Sequence, residues 1–305
     1  MSEKPAAIEA GRQSVFLPAE SNSGLHIADE LIRERCPSFV SHWSWPVTRP
    51  ILYSLLGYDK ARAMADHLQT LNGRQSFEYL AQMLQFRMEV ENLERLPSTG
   101  RCIVVANHPT GLADGVAVWE AIRKVREDVV FFANADAVRV NPRFSDLVIP
   151  VEWVLEKRSP AKTRETLRQA GEAFAAEKCV VIFPSGKLAR MIDGTLTEQD
   201  WFPTAVSLAR KKNAPVIPLH LDARNSWLFY FFSRVNGELR DITLFHELLN
   251  KKGSRFSMGF GPEVPAETLQ GDANEVTARL RDYVAYELGE DLDRTFENVS
   301  PPREI

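Results

Sequence analysis

His108 and Asp114 stand six positions apart at the end of an apolar run, and their types suit acid–base chemistry. They lie within Val104-Val105-Ala106-Asn107-His108-Pro109-Thr110-Gly111-Leu112-Ala113-Asp114-Gly115. A carboxylate that holds one imidazole nitrogen fixes the tautomer and leaves the other nitrogen to take a proton from a hydroxyl. On an unbroken helix six positions are about 240° apart, so the pair meets only if Pro109-Thr110-Gly111 forms a turn. The same residues also read as a solvated loop histidine followed by a helix-capping aspartate, because short motifs match by chance.

A second group, Phe183-Pro184-Ser185-Gly186-Lys187-Leu188-Ala189-Arg190, follows another apolar run. Glycine lets the backbone approach a ligand, and Lys187 and Arg190 offer a point charge and a planar fork to phosphate or carboxylate. Taken alone, Pro-Ser-Gly also reads as a plain turn. A third group, Ala223-Arg224-Asn225-Ser226, precedes an aromatic stretch; Arg224 and Asn225 would hold a polar headgroup or satisfy carbonyls in a turn. The phosphate-binding GxxxxGK[ST], the dinucleotide GxGxxG and the serine-nucleophile GxSxG patterns are absent from the sequence. His220, flanked by apolar residues, is expected to be a hydrogen-bonded core histidine. His26, His42, His67 and His246 lack ligand spacing, so no metal is expected.

Elements of an α/β protein must position these groups. Short β-branched runs at 103–106, 129–133, 148–151, 179–183, 214–221 and 256–260 predict strands, with Pro215 and Pro218 marking the fifth as edge-like. Helical spacing appears at 115–125, 159–177, 202–211 and 274–288, with Ser159-Pro160 as a cap. Alternation of this kind predicts a mostly parallel mixed sheet wrapped by helices. Residues 1–24 read as a flexible tail and 25–95 as a helical lead-in of about three helices, broken at Pro37, Pro46, Pro50, Gly57 and Asn72-Gly73. The α/β domain then spans 96–290, and 291–305 reads as a frayed tail.

Composition bounds the function. Of the 305 residues 44% are apolar and 26% charged, as in a folded soluble protein. A net charge of −4 argues against nucleic acid as a partner. Cys36, Cys102 and Cys179 lack CxxC spacing, and the latter two sit in apolar strand-like runs where buried, inert thiols are expected; a reducing, cytoplasmic compartment follows. No secretory signal pattern and no window of about 18 apolar residues occurs. Aromatic and aliphatic patches at 43–47, 50–58 and 227–232, near Arg49, Lys60 and Arg234, suit either a membrane interface or core packing.

Asn107-His108 with Asp114, then Phe183-Pro184-Ser185-Gly186, then Val216-Ile217-Pro218 form an ordered set that resembles the glycerolipid acyltransferases of the PlsC type. More closely it is similar to their bacterial branch labelled hemolysins and lyso-ornithine-lipid acyltransferases. Asp29-Glu30-Leu31-Ile32-Arg33-Glu34-Arg35, Leu96-Pro97-Ser98-Thr99-Gly100-Arg101 and Ala223-Arg224-Asn225-Ser226 through Phe229-Tyr230 extend the likeness over residues 26–265. The chain departs from the family in three places. Asp114 lies one residue further from the histidine than is common there. The usual Phe-Pro-Glu-Gly reads Phe-Pro-Ser-Gly. A block carrying an arginine is matched only in its apolar part, Ile149-Pro150-Val151, with Arg158 at another offset.

The resemblance implies a glycerol-3-phosphate acyltransferase-like α/β fold and transfer of a fatty acyl group from acyl-CoA or acyl-carrier protein to the hydroxyl of a lysolipid. Lysophosphatidic acid or a lyso-aminolipid would fit as acceptor. His108 would be the base and Asp114 its orienting partner. Asn107, Gly111, Phe183, Pro184, Ser185, Gly186, Lys187, Arg190, Arg224, Asn225 and Arg158 would line the substrates, with amides near Gly111 or Gly186 holding the oxyanion. No cofactor is implied beyond the thioester co-substrate. Peripheral contact with the inner face of the cytoplasmic membrane is implied, and no nucleic acid. A non-catalytic lipid- or acyl-binding protein of the same fold and an acyl thioesterase are the competing readings.

Overall fold

The computed structural model describes residues 15–16 and 24–299. Most of the tail assigned to 1–24, and residues 300–305, lie outside them. The lead-in holds five helices rather than three: α1 Ile27–Arg35, α2 Pro37–Ser41, α3 Trp45–Leu55, α4 Tyr58–Leu68 and α5 Gly73–Leu84. The sequence breaks are where they divide. Pro37 opens α2, Gly57 takes a positive φ of 68° before α4, and Asn72 caps α5 through a reciprocal exchange with Gln75. Pro50 is accommodated inside α3.

Seven strands form the main sheet: β1 Arg87–Glu91, β2 Cys102–Ala106, β3 Val129–Asn134, β4 Val148–Val151, β5 Cys179–Ile182, β8 Val216–Asp222 and β9 Arg255–Phe260, in the order β1-β9-β8-β2-β5-β3-β4. The remaining two, β6 Arg190–Ile192 and β7 Thr195–Thr197, pair as a separate hairpin. All neighbours in the main sheet are parallel except β8 and β9. The expected mostly parallel mixed sheet is therefore observed. Two expectations change. Arg87–Glu91, read as helical, is a strand on the sheet edge, and its alternating burial explains why helical periodicity misread it. Pro218 lies in an interior strand, not an edge. Its carbonyl receives Gly261 N–H just past the end of β9, so its missing donor falls where that neighbour stops.

Side chains alternate between the two faces of β2, β5 and β3. Val104, Phe131 and Val181 pack with α6 Leu112–Ile122, while Ile103, Val105, Val130 and Val180 pack with α8 Pro160–Ala175, α9 Thr204–Lys212 and α13 Ala273–Asp282. Trp119, Phe174 and Tyr283 are among the fully buried side chains, and each such large apolar group contributes roughly 1.5–3 kcal/mol. Between these elements lie α7 Asp136–Val140, α10 Trp227–Val235, α11 Gly237–Ile242 and α12 Leu244–Asn250. After α13 the chain makes a π turn, Tyr283–Glu287, before a last helical turn, Leu288–Glu290. Residues 291–299 are packed rather than frayed. Phe296 is buried, Arg95 binds the Leu292 carbonyl and Tyr283 Oη donates to the Arg294 carbonyl.

Candidate active site

Strands β2, β5 and β8 are neighbours and parallel, so the segments that follow them open on one edge of the sheet, where α/β proteins build sites. His108 follows β2, Ser185 and Gly186 follow β5, and Arg224 and Asn225 follow β8. Thus the three separate sequence groups converge.

The turn between His108 and Asp114 forms through Gly111, whose φ is 91°. Asp114 sits in the first turn of α6, fully buried. Its Oδ2 receives the Thr110 and Gly111 N–H groups at 2.8 and 2.9 Å, and its Oδ1 accepts from the Thr110 hydroxyl. The same Oδ2 lies 2.9 Å from His108 Nδ1. That contact is close but off the line of an ideal hydrogen bond, and Nδ1 has no other partner among the described residues. Both readings of the aspartate therefore hold: it caps the helix and it contacts the imidazole.

The His108 ring stacks on Phe183, centroids 4.5 Å apart and planes at 26°. Its main chain is held at both ends: Ala189 N–H donates to its carbonyl at 3.0 Å, and its own N–H donates to Glu198 Oε2 at 3.1 Å. Glu198 is 3% exposed, and its Oε1 accepts the Trp201 indole N–H at 3.1 Å. Burial pushes its carboxyl above the usual range, against the lowering effect of these donors and of the neighbouring Ser185 hydroxyl. Sequence reasoning missed Thr110, Glu198 and Trp201. Only the hairpin leading to Glu198 carried a signal, Asp193-Gly194, whose two residues both take positive φ between β6 and β7.

The remaining predicted residues divide. Asn107 does not line an open site: its Nδ2 donates to the Leu221 carbonyl at 2.9 Å and its Oδ1 accepts Leu221 N–H at 2.7 Å, so the amide ties the end of β2 to β8. The amides of Thr110 and Gly111 are committed to Asp114, and Gly186 N–H donates to the Phe183 carbonyl, so the proposed oxyanion donors near Gly111 and Gly186 are already used. Pro184 is buried and its carbonyl accepts Phe202 N–H. Ser185, also buried, donates to the Lys187 carbonyl at 2.8 Å. Lys187, Arg190 and Arg224 are exposed. Arg158 lies over the Phe202 ring, beside Trp153, which packs directly on Gly186; the tertiary fold thus brings it to the site's rim. Asn225 is buried with both side-chain amide atoms unpaired among the described residues, an arrangement that costs stability unless a ligand completes it. His220 is the core histidine expected, its Nδ1 2.8 Å from the Val284 carbonyl. Among the described residues no His, Cys, Asp or Glu cluster suits a metal.

A doubly wound sheet with a histidine–carboxylate pair at its carboxyl edge is a framework for moving a proton off a nucleophile. Residues 87–222, from the start of β1 to the end of β8, match the family model described as Acyltransferase. Over that region the chain is similar to the acyltransferases that the model describes. Two curated relatives are each named "Lyso-glycine lipid O-acyltransferase". The protein from Phocaeicola vulgatus is 25% identical over 213 residues, 68% of this chain and 74% of its own length. That from Bacteroides thetaiotaomicron is 23% identical over 262 residues, 84% and 93% respectively. The crystal structure of the 1-acyl-sn-glycerophosphate (LPA) acyltransferase PlsC from Thermotoga maritima aligns over 88% of this chain and 98% of that one, at 15% identity and a TM-score of 0.46.

Proposed function

We propose that this protein is an acyltransferase, moving a fatty acyl group from a thioester, carried on CoA or an acyl-carrier protein, to the free hydroxyl of a lysolipid. The observation that carries the reading is the His108–Asp114 contact at the sheet edge within the acyltransferase region. The names of the two curated relatives support a lysolipid acceptor. In this mechanism the acceptor oxygen attacks the thioester carbonyl while His108 Nε2 takes the hydroxyl proton. Asp114 balances the charge of the imidazolium. Collapse of the tetrahedral intermediate breaks the C–S bond, and the proton returns to the departing thiolate. With the nearby amides committed and the positive end of α6 already faced by the Asp114 carboxylate, the exposed Lys187 ammonium is the source of charge for the oxyanion. Arg158, Arg190 and Arg224 hold the anionic acceptor headgroup or donor phosphates, and the unpaired Asn225 amide completes its hydrogen bonds on the acceptor. A small amino-acid lipid or a lysophosphatidic acid both present a hydroxyl beside an anion.

Peripheral membrane contact belongs to the same reading. Trp43, Val47, Ile51 and Leu55 recur every fourth residue along and just before α3, and all are exposed. Trp227, Phe231 and Val235 repeat the pattern on α10. A groove of about 530 Å³ lined by Phe39, Ile51, Leu52 and Asn236 lies between these regions rather than at His108. Such stripes suit helices lying in a headgroup layer. No helix among the described residues is long and apolar enough to cross a membrane.

The test is thiol release from long-chain acyl-CoA and acyl-carrier protein, with and without a panel of lysolipids, for wild type and His108→Ala. Acceptor-dependent release that falls on the order of 10²-fold or more in the variant is expected. Release without acceptor would make the protein a thioesterase, and wild-type turnover in His108→Ala would remove the histidine from the mechanism.

A further inference from the structure

His108 is held at four points, and Asp114 accounts for only one of them. The ring rests on Phe183, the carbonyl takes Ala189 N–H, and the backbone N–H enters the buried carboxylate of Glu198. Glu198 comes from outside every motif of the sequence. The chain leaves the Gly186 turn, runs out along β6, reverses at Asp193-Gly194 and returns along β7, so that the residue after β7 reaches back to His108. It is fixed there by Trp201 through the other carboxylate oxygen and by Tyr286 Oη, which accepts its backbone N–H at 3.1 Å. Ser185 neighbours this carboxylate with a hydroxyl where a longer acid would compete for the same space.

We propose that Glu198 is a positioning residue for the His108 base, and that the β6–β7 hairpin delivers the carboxylate that Phe-Pro-Ser-Gly lacks at position 185. The inference rests on the acyl-transfer reading above. Its chemistry is specific to a carboxylate. Two N–H donors, the His108 amide and the Trp201 indole, each take a different oxygen of Glu198. A glutamine has one acceptor oxygen and turns its NH₂ toward the second donor, so it matches the shape and loses one hydrogen bond to repulsion. The result would be a shift in His108 relative to Asp114, and proton transfer is sensitive to sub-ångström changes of this kind.

The experiment compares wild type, His108→Ala, Glu198→Gln and the exchange variant Ser185→Glu/Glu198→Ser in the acceptor-dependent thiol-release assay, with melting temperatures for each. Glu198→Gln should lower kcat at least tenfold while the KM for donor and acceptor stays within about twofold, because the residue touches neither substrate. The exchange variant should recover part of that loss, since it returns a carboxylate to the same buried space from the other side. A purely structural role would lower the melting temperature and the yield of folded enzyme without this split. Should Glu198→Gln not fold, Trp201→Phe releases only the second oxygen of Glu198 and should lower kcat about threefold to tenfold at unchanged KM. Wild-type kcat in the folded Glu198 variant, or in Trp201→Phe where that variant alone folds, overturns the proposal, as does a rise confined to the acceptor KM. If wild type itself shows no His108-dependent transfer, the function reading fails instead, and the two failures are distinguished by the first two proteins.

Discussion

At the residue scale the site depends on positions where only one side chain fits. Gly186 has a φ of 57°, and a Cβ there would lie 2.4 Å from the Trp153 ring. Gly186→Ala is therefore expected to displace Trp153, and with it Phe202 and Arg158, at a cost of about 1–3 kcal/mol, with a matching drop in melting temperature and a raised KM for the anionic substrate. Thermal melts beside steady-state kinetics check it; an unchanged melting point would show that the indole moves freely. Sequence alone made His108, Asp114 and Gly186 visible because each sits in a short block whose chemistry is local. It misjudged Asn107, whose amide is committed to Leu221, 114 positions away. It missed Glu198 for the same reason: a lone glutamate in Thr197-Glu198-Gln199-Asp200 reads as solvated surface until the hairpin folds it inward.

At the scale of elements, the helical lead-in is joined to the α/β sheet by charge. Glu34 on α1 is paired with Arg139 on α7 and with Lys157, and the Arg139 guanidinium holds its carboxyl down at about 2 from an ordinary 4.5. A depressed carboxylate contributes stability that is present above its unfolded value and lost as pH falls through the folded one. The docking of α1 should hold at neutral pH and weaken between about 4.5 and 2. Hydrogen exchange of α1 amides across that range should show the loss, and in Arg139→Met the pH dependence should largely disappear. Equal protection of α1 at pH 3 and pH 6 would contradict it. The main-sheet strands β2, β3, β4, β5, β8 and β9 and the helices α6, α8, α9 and α13 were legible because their apolar runs and helical periods are written locally, whereas α7, the β6–β7 hairpin and α10 to α12 are short or lack such a period and were not assigned. The three-helix reading of the lead-in failed because Gly57 and Cys36-Pro37 each end a helix within a few residues of starting the next.

At the scale of the whole molecule, the apolar stripes on α3 and α10 are what the fold leaves on its surface after both faces of the sheet are covered. Flotation with anionic liposomes should bring the wild-type protein up the gradient. Trp43→Ser and Trp227→Ser should each weaken binding by roughly tenfold or more, as expected for withdrawing one indole from an apolar layer. A wild-type protein that stays at the bottom would remove the membrane from the reading. The sequence by itself determined the α/β class, the order of the main motifs and the pairing of His108 with Asp114, because patterning, turn residues and motif chemistry act over a few neighbouring positions. Tertiary structure decided the rest: that β2, β5 and β8 lie side by side so three motifs share one edge, that Asn107 is a clamp, that Arg158 reaches the rim, and that Glu198 stands behind His108. Each depends on contacts between residues distant in the chain, where spacing along the sequence carries no information about distance in space.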